Sequence, residues 1–256
     1  MPIGPARMPL MDHIGELRRR LVQVVVCMLI AICVLYMFTP YIIDFLVQPI
    51  QEFLPDGLES LILTTPFEGF SLKFRVAAFA AIVVCSPLII WELLAFFLPA
   101  LKPKERRYVV PTFFIAVVLF VAGMVFCYCF CLSPAFQFLT GESASIGTVF
   151  PVATDYVKYL ILFLIAFGIA FELPVVVFYL IIFDIVSYKK MRRSWRYIYV
   201  ALLVLAAVVT PDASPVTMGI LFAALLALYE VSLLAARIVL SRKIKRQKAE
   251  EAQEED

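Results

Sequence analysis

The side chains with the clearest chemical potential in this sequence are a few carboxylates inside or beside long apolar segments. Glu172 is the only charged residue between positions 160 and 183. A charge at bilayer depth costs about 2.5–3.5 kcal/mol, so this acid should face water, a polar partner or another helix, or be protonated. Either a neighbouring hydroxyl satisfies it as a structural acid, or it has a function, and we favour function. Pro174 predicts a helix bend near Ala170.

Two other acids, Glu16 and Glu105, lie inside arginine clusters at the ends of apolar segments. One interpretation is local salt bridging, with Glu16 pairing to Arg20 four residues later for about 0.3–0.5 kcal/mol. The other is a surface that binds guanidinium groups, which match carboxylates with two hydrogen bonds. The residues alone favour the local pairing.

The sequence gives no indication of catalysis, and we predict neither an enzyme, a metal site nor a cofactor. The only histidine, His13, lies outside the apolar runs, and no glycine-rich phosphate loop occurs. All the cysteines fall in apolar runs. We therefore interpret them as small apolar packing residues rather than as metal ligands or disulfide partners. The six cysteines are Cys27, Cys33, Cys85, Cys127, Cys129 and Cys131.

The composition identifies the class of protein that holds these acids. The 256 residues are 63% hydrophobic and 16% charged, with a mean hydropathy of +0.97. A soluble domain is about 45–50% apolar and about 25% charged. This excludes an ordinary globular enzyme, a disordered chain and a nucleic-acid binder, and it predicts an all-α protein that crosses a membrane several times.

Six apolar segments are predicted to span the membrane, because a spanning helix needs roughly 20 apolar residues. The fifth and sixth are expected to be short. Residues 1–240 form one predicted membrane domain, and residues 241–256 form a charged cytoplasmic tail. The predicted spans cover about 21–38, 76–98, 108–132, 155–183, 197–209 and 215–236.

The distribution of positive charge predicts the orientation of the chain. Of the 22 Lys and Arg residues, 19 lie in segments that share one side of such a six-span arrangement. Lys and Arg accumulate in cytoplasmic loops, so both termini are predicted to be cytoplasmic. On the other side, residues 39–71 are predicted to form short amphipathic helices, and residues 133–153 a loop rich in Ser, Thr and Gly.

Four sequence blocks, met in this order along the chain, resemble the TatC family, the multi-spanning receptor subunit of the twin-arginine translocase. Together with the six spans, they extend the resemblance over nearly the whole chain. The blocks are His13-x-x-Glu16-Leu17-Arg18-x-Arg20-Leu21, Phe96-x-x-Pro99-Ala100-Leu101-x-x-x-Glu105-Arg106-Arg107, Phe167-Gly168-x-x-Phe171-Glu172-x-Pro174, and Thr210-Pro211-Asp212 with Tyr229-Glu230.

The resemblance implies a concave, glove-like helical bundle in the bacterial plasma membrane, in contact with lipid. It also implies that several copies of the chain form a homo-oligomer within a complex whose transport is driven by the proton motive force. It implies recognition of twin-arginine signal peptides on folded export substrates. Residues that match the family's signal-peptide surface are Glu16, Arg18, Phe96, Glu105 and Arg106. Residues that match contacts with single-span partners of the TatA and TatB type are Glu172, Pro49, Asp212 and Glu230.

Three positions depart from the usual family pattern. Glu92 stands where Gln is common, Leu94 where Trp is common, and Ala224 where many members have Pro. Glu92, about one helical turn before Phe96, either adds a third acid to the signal-peptide surface or extends to the membrane interface.

Two other classes of function fit the sequence less well than a translocase component does. An ion-coupled transporter would use Glu172 and Asp212 as a carboxylate relay, but Asp212 is predicted in an outer turn and no inverted repeat is evident. A membrane-embedded enzyme would need converging nucleophiles or metal ligands, which the sequence does not contain.

Overall fold

The computed structural model describes residues 10–49, 62–97, 106–144, 147, 152–183, 185–210, 214–239 and 241. Within these residues the regular structure is helical, apart from one isolated parallel bridge between Ile62 and Val152. The predicted all-α class is therefore confirmed for the described part of the chain. Its α-helices are α1 (Leu10–Leu35), α2 (Thr39–Val47), α3 (Pro66–Phe97), α4 (Val109–Phe126), α5 (Leu132–Ala144), α6 (Ala153–Ala170), α7 (Leu173–Ile182), α8 (Tyr188–Arg193), α9 (Trp195–Val209) and α10 (Pro215–Val239).

Five helical segments in the described residues are long and apolar enough to cross a membrane. They are Gly15–Val47, Pro66–Phe96, Val109–Ser143, Ala153–Ile182 and Pro215–Ile238. The predicted fifth span corresponds to α9, whose 15 residues extend about 22 Å at about 1.5 Å per residue. The expectation that the sixth span is also short is wrong, because α10 has 25 residues.

Helix α1 packs along α3 and begins well before the predicted start at residue 21. The charged residues that precede the apolar run are good helix formers, so the helix continues through them. The opposite face of α1 is apolar and exposed, as Val22, Leu29 and Ile30 illustrate. Such a large exposed apolar surface is typical of contact with lipid rather than with water.

Helix α3 begins with a capping arrangement and contains one proline. At its start, Thr65 Oγ1 accepts a hydrogen bond from the Glu68 N–H at 3.3 Å, and the Glu68 carboxylate accepts the N–H and hydroxyl of Thr64. Further along, Pro87 has no N–H to donate to the carbonyl of Val83. The Ser86 hydroxyl donates to that carbonyl instead, at 2.8 Å, which keeps the helix continuous.

The chain after α4 differs from the sequence-based expectation. Residues 133–153 were predicted to form an outer loop, but α5 extends the helical segment to Ala144 through a π-helical turn at Cys127–Cys131. A helix that is already hydrogen-bonded continues at little cost, which explains why the Ser, Thr and Gly residues here did not end it. Cys127 and Cys131 are buried in this turn, and Cys129 is exposed.

The fourth apolar segment breaks at the predicted place. Helix α6 ends at Ala170, and α7 starts at Leu173 with Pro174 in its first turn. Proline removes one backbone donor and its ring crowds the carbonyl four residues earlier, which here belongs to Ala170. Glu172 lies in the break, so the predicted bend near Ala170 is confirmed.

Helices α4 and α6 approach each other closely through two glycines. A Cβ on Gly123 would lie 2.6 Å from the carbonyl oxygen of Phe167 and 2.9 Å from Phe171. A Cβ on Gly168 would lie 2.8 Å from the ring of Phe120. Small residues let helix backbones approach in a membrane, where packing rather than water exclusion drives association.

The short helix α2, which the sequence predicted as part of an amphipathic segment, is tied to the bundle by two tyrosines. The hydroxyl of Tyr128 donates to the carbonyl of Phe45 at 2.7 Å, and the two rings stack with centroids 4.7 Å apart. The hydroxyl of Tyr156 donates to the carbonyl of Leu46 at 3.2 Å. Residues 50–61 of that predicted segment lie outside the described residues, and its last residues, 66–71, belong to the long helix α3 rather than to a short surface helix.

Candidate functional site

The first group of candidate residues is an acid–arginine–acid cluster, formed by Glu16 and Arg20 of α1 and Glu92 of α3. Arg20 donates to Glu16 Oε1 through Nε at 3.1 Å and through Nη2 at 2.6 Å. Its Nη1 donates to Glu92 Oε2 at 2.5 Å. The expected pairing of Glu16 with Arg20 is confirmed, and the structure adds Glu92, which lies 72 positions away in the sequence.

The cluster is accessible and carries a net negative charge. The side chains of Glu16, Arg20 and Glu92 are 26%, 23% and 15% exposed, respectively. One guanidinium faces two carboxylates, so the formal charge of the group is −1. This combination of partial burial and uncompensated charge is suited to binding a further cation.

The other residues predicted for the signal-peptide surface differ in exposure and in contacts. Phe96 follows Glu92 by about one turn of α3 and is half-buried. Arg18 and Arg106 are exposed, and among the described residues Arg18 makes no hydrogen bond or ion pair. Glu105 lies outside the described residues. The structure therefore joins Glu16 to α3 through Arg20.

Glu172, in the break between α6 and α7, is the least satisfied acid in the described part of the chain. Its side chain is half-buried, and its Oε1 is fully buried with no hydrogen-bond partner among the described residues. The alternative in which a neighbouring hydroxyl satisfies this acid does not hold for these residues. A buried polar group without a partner is costly, so this oxygen is suited to a donor from another molecule.

In contrast, each carboxylate oxygen of Glu230 in α10 accepts a hydrogen bond. Arg192 of α8 donates to its Oε2 at 2.7 Å, and the hydroxyl of Tyr199 of α9 donates to its Oε1 at 2.8 Å. The Glu230 carboxylate raises the pKa of the Arg192 guanidinium. These contacts tie three consecutive helices together at one end of α10.

Of the two remaining predicted partner residues, Pro49 and Asp212, the structure describes only Pro49. Pro49 follows α2 and is half-buried, and Asp212 lies outside the described residues. Asp212 precedes the first residue of α10, Pro215, and Glu230 lies 15 residues beyond that, about 22 Å along the helix at about 1.5 Å per residue. Glu230 therefore lies in the C-terminal half of α10.

Sequence reasoning left open the role of Glu92 and did not identify its contact with Arg20. The available signal was that Glu92 is the only charged residue of the predicted span 76–98 and lies near its end.

In the part of the chain that the structure describes, no three His, Cys, Asp or Glu residues are grouped so that they could hold a metal ion.

Comparisons with known proteins agree on one family. Residues 12–223 match the family model described as Sec-independent protein translocase protein (TatC). The TatC protein of Deinococcus radiodurans is 33% identical over 235 residues, which cover 91% of this chain and 87% of that protein. The TatC protein of Koribacter versatilis is 32% identical, covering 96% of this chain and 92% of its own length.

The fold matches as well. A crystal structure of the twin-arginine translocase receptor TatC in DDM superposes with a TM-score of 0.72 and 27% identity. The match covers 88% of this chain and 99% of that one. A second crystal structure of the twin-arginine translocase receptor TatC gives the same TM-score with 28% identity.

Proposed function

The chain belongs to the TatC family of Sec-independent protein translocase proteins, and on this premise we propose that it is the signal-peptide receptor of a twin-arginine translocase. As a member of this family it is a membrane component of a protein translocase and not an enzyme. The proposal is that its acidic surface binds the paired arginines of signal peptides on folded export substrates.

The observation that carries the proposal is the guanidinium already bound between Glu16 and Glu92. Arg20 places three N–H donors on these two carboxylates. A signal-peptide arginine has the same planar donor group, so the same carboxylates offer it the same chemistry. Glu105 is proposed to supply a further carboxylate, with Arg18, Phe96 and Arg106 surrounding the bound peptide.

The proposed topology places this surface in the cytoplasm. Five long apolar helices and the shorter α9 would give six spans, with both termini on the side that holds 19 of the 22 basic residues. Residues 1–240 would form a single glove-like membrane domain in the bacterial plasma membrane, and residues 241–256 a cytoplasmic tail. The exposed apolar faces would contact lipid.

Glu172 is proposed to bind single-span subunits of the TatA and TatB type. Its partnerless Oε1 favours a polar side chain on a partner helix over an internal structural role. Pro49, Asp212 and Glu230 are retained as proposed partner contacts from the family resemblance, and the complex is proposed to contain several copies of this chain. For Glu230, the bonds to Arg192 and Tyr199 indicate that it acts by holding the last hairpin in place.

Site-specific photo-crosslinking tests both parts of the proposal without removing the acids themselves. A photoreactive residue at Leu17, which is exposed beside Glu16, should capture a twin-arginine signal peptide. One at Val176, which is exposed one turn after Glu172, should capture a TatA-type helix. The same residue at Val34, exposed farther along α1, serves as the control and should capture neither.

The signal-peptide assignment depends on selectivity as well as capture. A peptide in which both arginines are lysines retains the charge and loses the two-point geometry of the guanidinium. Equal capture of the two peptides at Leu17 would contradict the receptor proposal. Capture of the single-span helix at Val34 as readily as at Val176 would contradict the assignment of Glu172.

A further inference from the structure

The Arg20 side chain crosses from α1 to α3 and uses three of its N–H donors on two acids of different helices. Two of these donors meet a single oxygen of Glu16, and the third meets a single oxygen of Glu92. The second oxygen of each carboxylate, Glu16 Oε2 and Glu92 Oε1, receives no hydrogen bond from any described residue. The cluster is thus a pair of carboxylates partly filled by one internal guanidinium.

We propose that Arg20 is an internal ligand of the signal-peptide surface, and that Glu92 is the second carboxylate through which an incoming arginine displaces it. The inference rests on the proposed function of Glu16. It makes Glu16 and Glu92 together, rather than Glu16 alone, the group that recognises a guanidinium on this side of the surface.

The charge of the cluster supports displacement. With both acids ionised and Arg20 between them, one negative charge remains uncompensated, and this charge attracts one further guanidinium. Removing the charge of Glu92 would leave a neutral Glu16–Arg20 pair with no net attraction for a cation. The incoming arginine binds first to the two carboxylate oxygens that Arg20 leaves unoccupied, and it then takes over the oxygens that Arg20 releases.

Because the cluster is partly exposed, replacing Arg20 by an incoming arginine costs little free energy. All three side chains are partly open to solvent, so the bonds that Arg20 gives up have the modest strength of surface ion pairs. Helices α1 and α3 also pack against each other beyond this cluster, as the 3.7 Å approach of Cys27 Sγ and Cys85 Sγ illustrates. The helix pair therefore does not depend on Arg20 alone.

The test is the affinity of a fluorescent twin-arginine signal peptide for the purified full-length protein in detergent. Replacing Arg20→Gln removes the internal competitor and should tighten peptide binding by up to about fivefold, the strength of a partly exposed ion pair. Replacing Glu92→Gln keeps a hydrogen-bonding side chain but removes its charge, and should weaken binding by a similar factor.

The matched control is Arg19→Gln, which also removes one positive charge from α1. Arg19 is exposed and makes no hydrogen bond or ion pair with the described residues, so its replacement should change affinity much less than Arg20→Gln does. Equal affinities of the Arg19 and Arg20 variants would overturn the proposal, as would weaker binding by Arg20→Gln with an unchanged melting temperature.

A further variant keeps the test decisive if Arg20→Gln does not fold. Arg20→Lys retains the charge but cannot hold both carboxylates with a planar fork, so it should bind the peptide more tightly than the native protein. Unchanged or weaker binding by the lysine variant would contradict the proposal. If the native protein itself does not prefer the twin-arginine peptide to a twin-lysine peptide, the receptor function fails, which is a distinct result.

Discussion

Single acids in this chain have different surroundings, and these surroundings indicate different roles. Glu16 and Glu92 share one guanidinium and remain partly exposed. Glu230 has a donor on each oxygen, whereas Glu172 has a buried oxygen without a partner among the described residues. A shared acid is suited to exchange, a saturated acid to holding helices together, and an unsatisfied buried acid to binding another molecule.

The proposed arginine surface predicts the effect of removing its acids. Glu16→Ala and Glu105→Ala should each weaken binding of a twin-arginine peptide, because a guanidinium loses a charge-assisted partner worth about 1.5–3 kcal/mol when fully formed. The partial exposure of the Glu16 side chain reduces this to about 1 kcal/mol, or about fivefold in Kd, for Glu16→Ala. Equilibrium binding of a labelled peptide to the purified protein measures the change.

The matched control for these variants is Asp44→Ala, which removes an exposed acid from α2. Asp44 makes no contact with the arginine cluster, and its replacement should leave peptide affinity unchanged. If Glu16→Ala, Glu105→Ala and the double variant all bind the peptide as the native protein does, the arginine surface is wrongly assigned.

Glu172 allows three roles to be separated by two substitutions. If its carboxylate docks a polar residue of a partner helix, Glu172→Gln should be mild, because the amide still forms a hydrogen bond, and Glu172→Ala should impair partner assembly and export. A packing role predicts that Ala is tolerated, since it removes a buried charge. A proton relay predicts that Gln is as damaging as Ala, because an amide does not titrate.

Partner crosslinking and export of a folded substrate are measured for both Glu172 variants, with signal-peptide binding as the internal control. Peptide binding should persist in each, because the acid–arginine cluster lies on α1 and α3 and makes no contact with Glu172. Export abolished equally by Gln and Ala, with crosslinking intact, would replace partner docking by a proton relay.

At the scale of helices, the closest packing is the contact of α4 with α6 around Gly123 and Gly168. Gly168 lies against the ring of Phe120 in α4, and Gly123 lies against Phe171, which directly follows α6, and against the carbonyl oxygen of Phe167. Backbone cannot rotate away as a side chain can, so the space at Gly123 is the more strictly limited. This contact supports α6 just before the break that holds Glu172.

Gly123→Ala should therefore destabilise the protein by about 1–3 kcal/mol, the usual cost of inserting atoms into a packed core. Gly168→Ala should cost less, because the ring of Phe120 can shift. Gly219→Ala in α10 is the matched control, since a Cβ there meets nothing within 4 Å, and alanine is the better helix former. Thermal unfolding in detergent measures the relative stabilities of the three alanine variants. An unchanged melting temperature for Gly123→Ala would contradict this packing.

For the whole molecule, the number of crossings depends on α9. Its 15 residues reach about 22 Å, which is less than the roughly 30 Å of a hydrocarbon core. A helix this short crosses when the bilayer thins locally or when flanking side chains extend to the membrane interface. Trp195 and Tyr197, exposed at the start of α9, are residues that favour the membrane interface. The proposed six-span topology would therefore place these aromatic residues at the cytoplasmic interface.

Labelling of single cysteines in intact cells tests the topology in a background without the six native cysteines. Gly147→Cys should react with a membrane-impermeant maleimide, because residue 147 is predicted to lie outside the cytoplasm. Lys190→Cys and Ser241→Cys should react only after the membrane is opened. All three positions are exposed in the structure. Labelling of Ser241→Cys in intact cells would show that α9 does not cross.

The sequence determined those properties that depend on neighbouring residues. Apolar run lengths gave the helical class, and Pro174 gave the break beside Glu172, because a missing N–H acts within one turn. The pairing of Glu16 with Arg20 followed from helical spacing. Local patterns failed at residues 133–144, where polar residues continue an existing helix, and at α10, which is longer than the short sixth span that was expected.

Only the tertiary structure decided which distant residues meet. The bond from Arg20 to Glu92 and the bonds of Glu230 to Arg192 and Tyr199 join separate helices. No local pattern encodes them, because they depend on how each helix is rotated and shifted against its neighbour. The isolation of Glu172 has the same origin: the sequence showed a charge in an apolar run, but only the packing of the bundle left its oxygen buried without a donor.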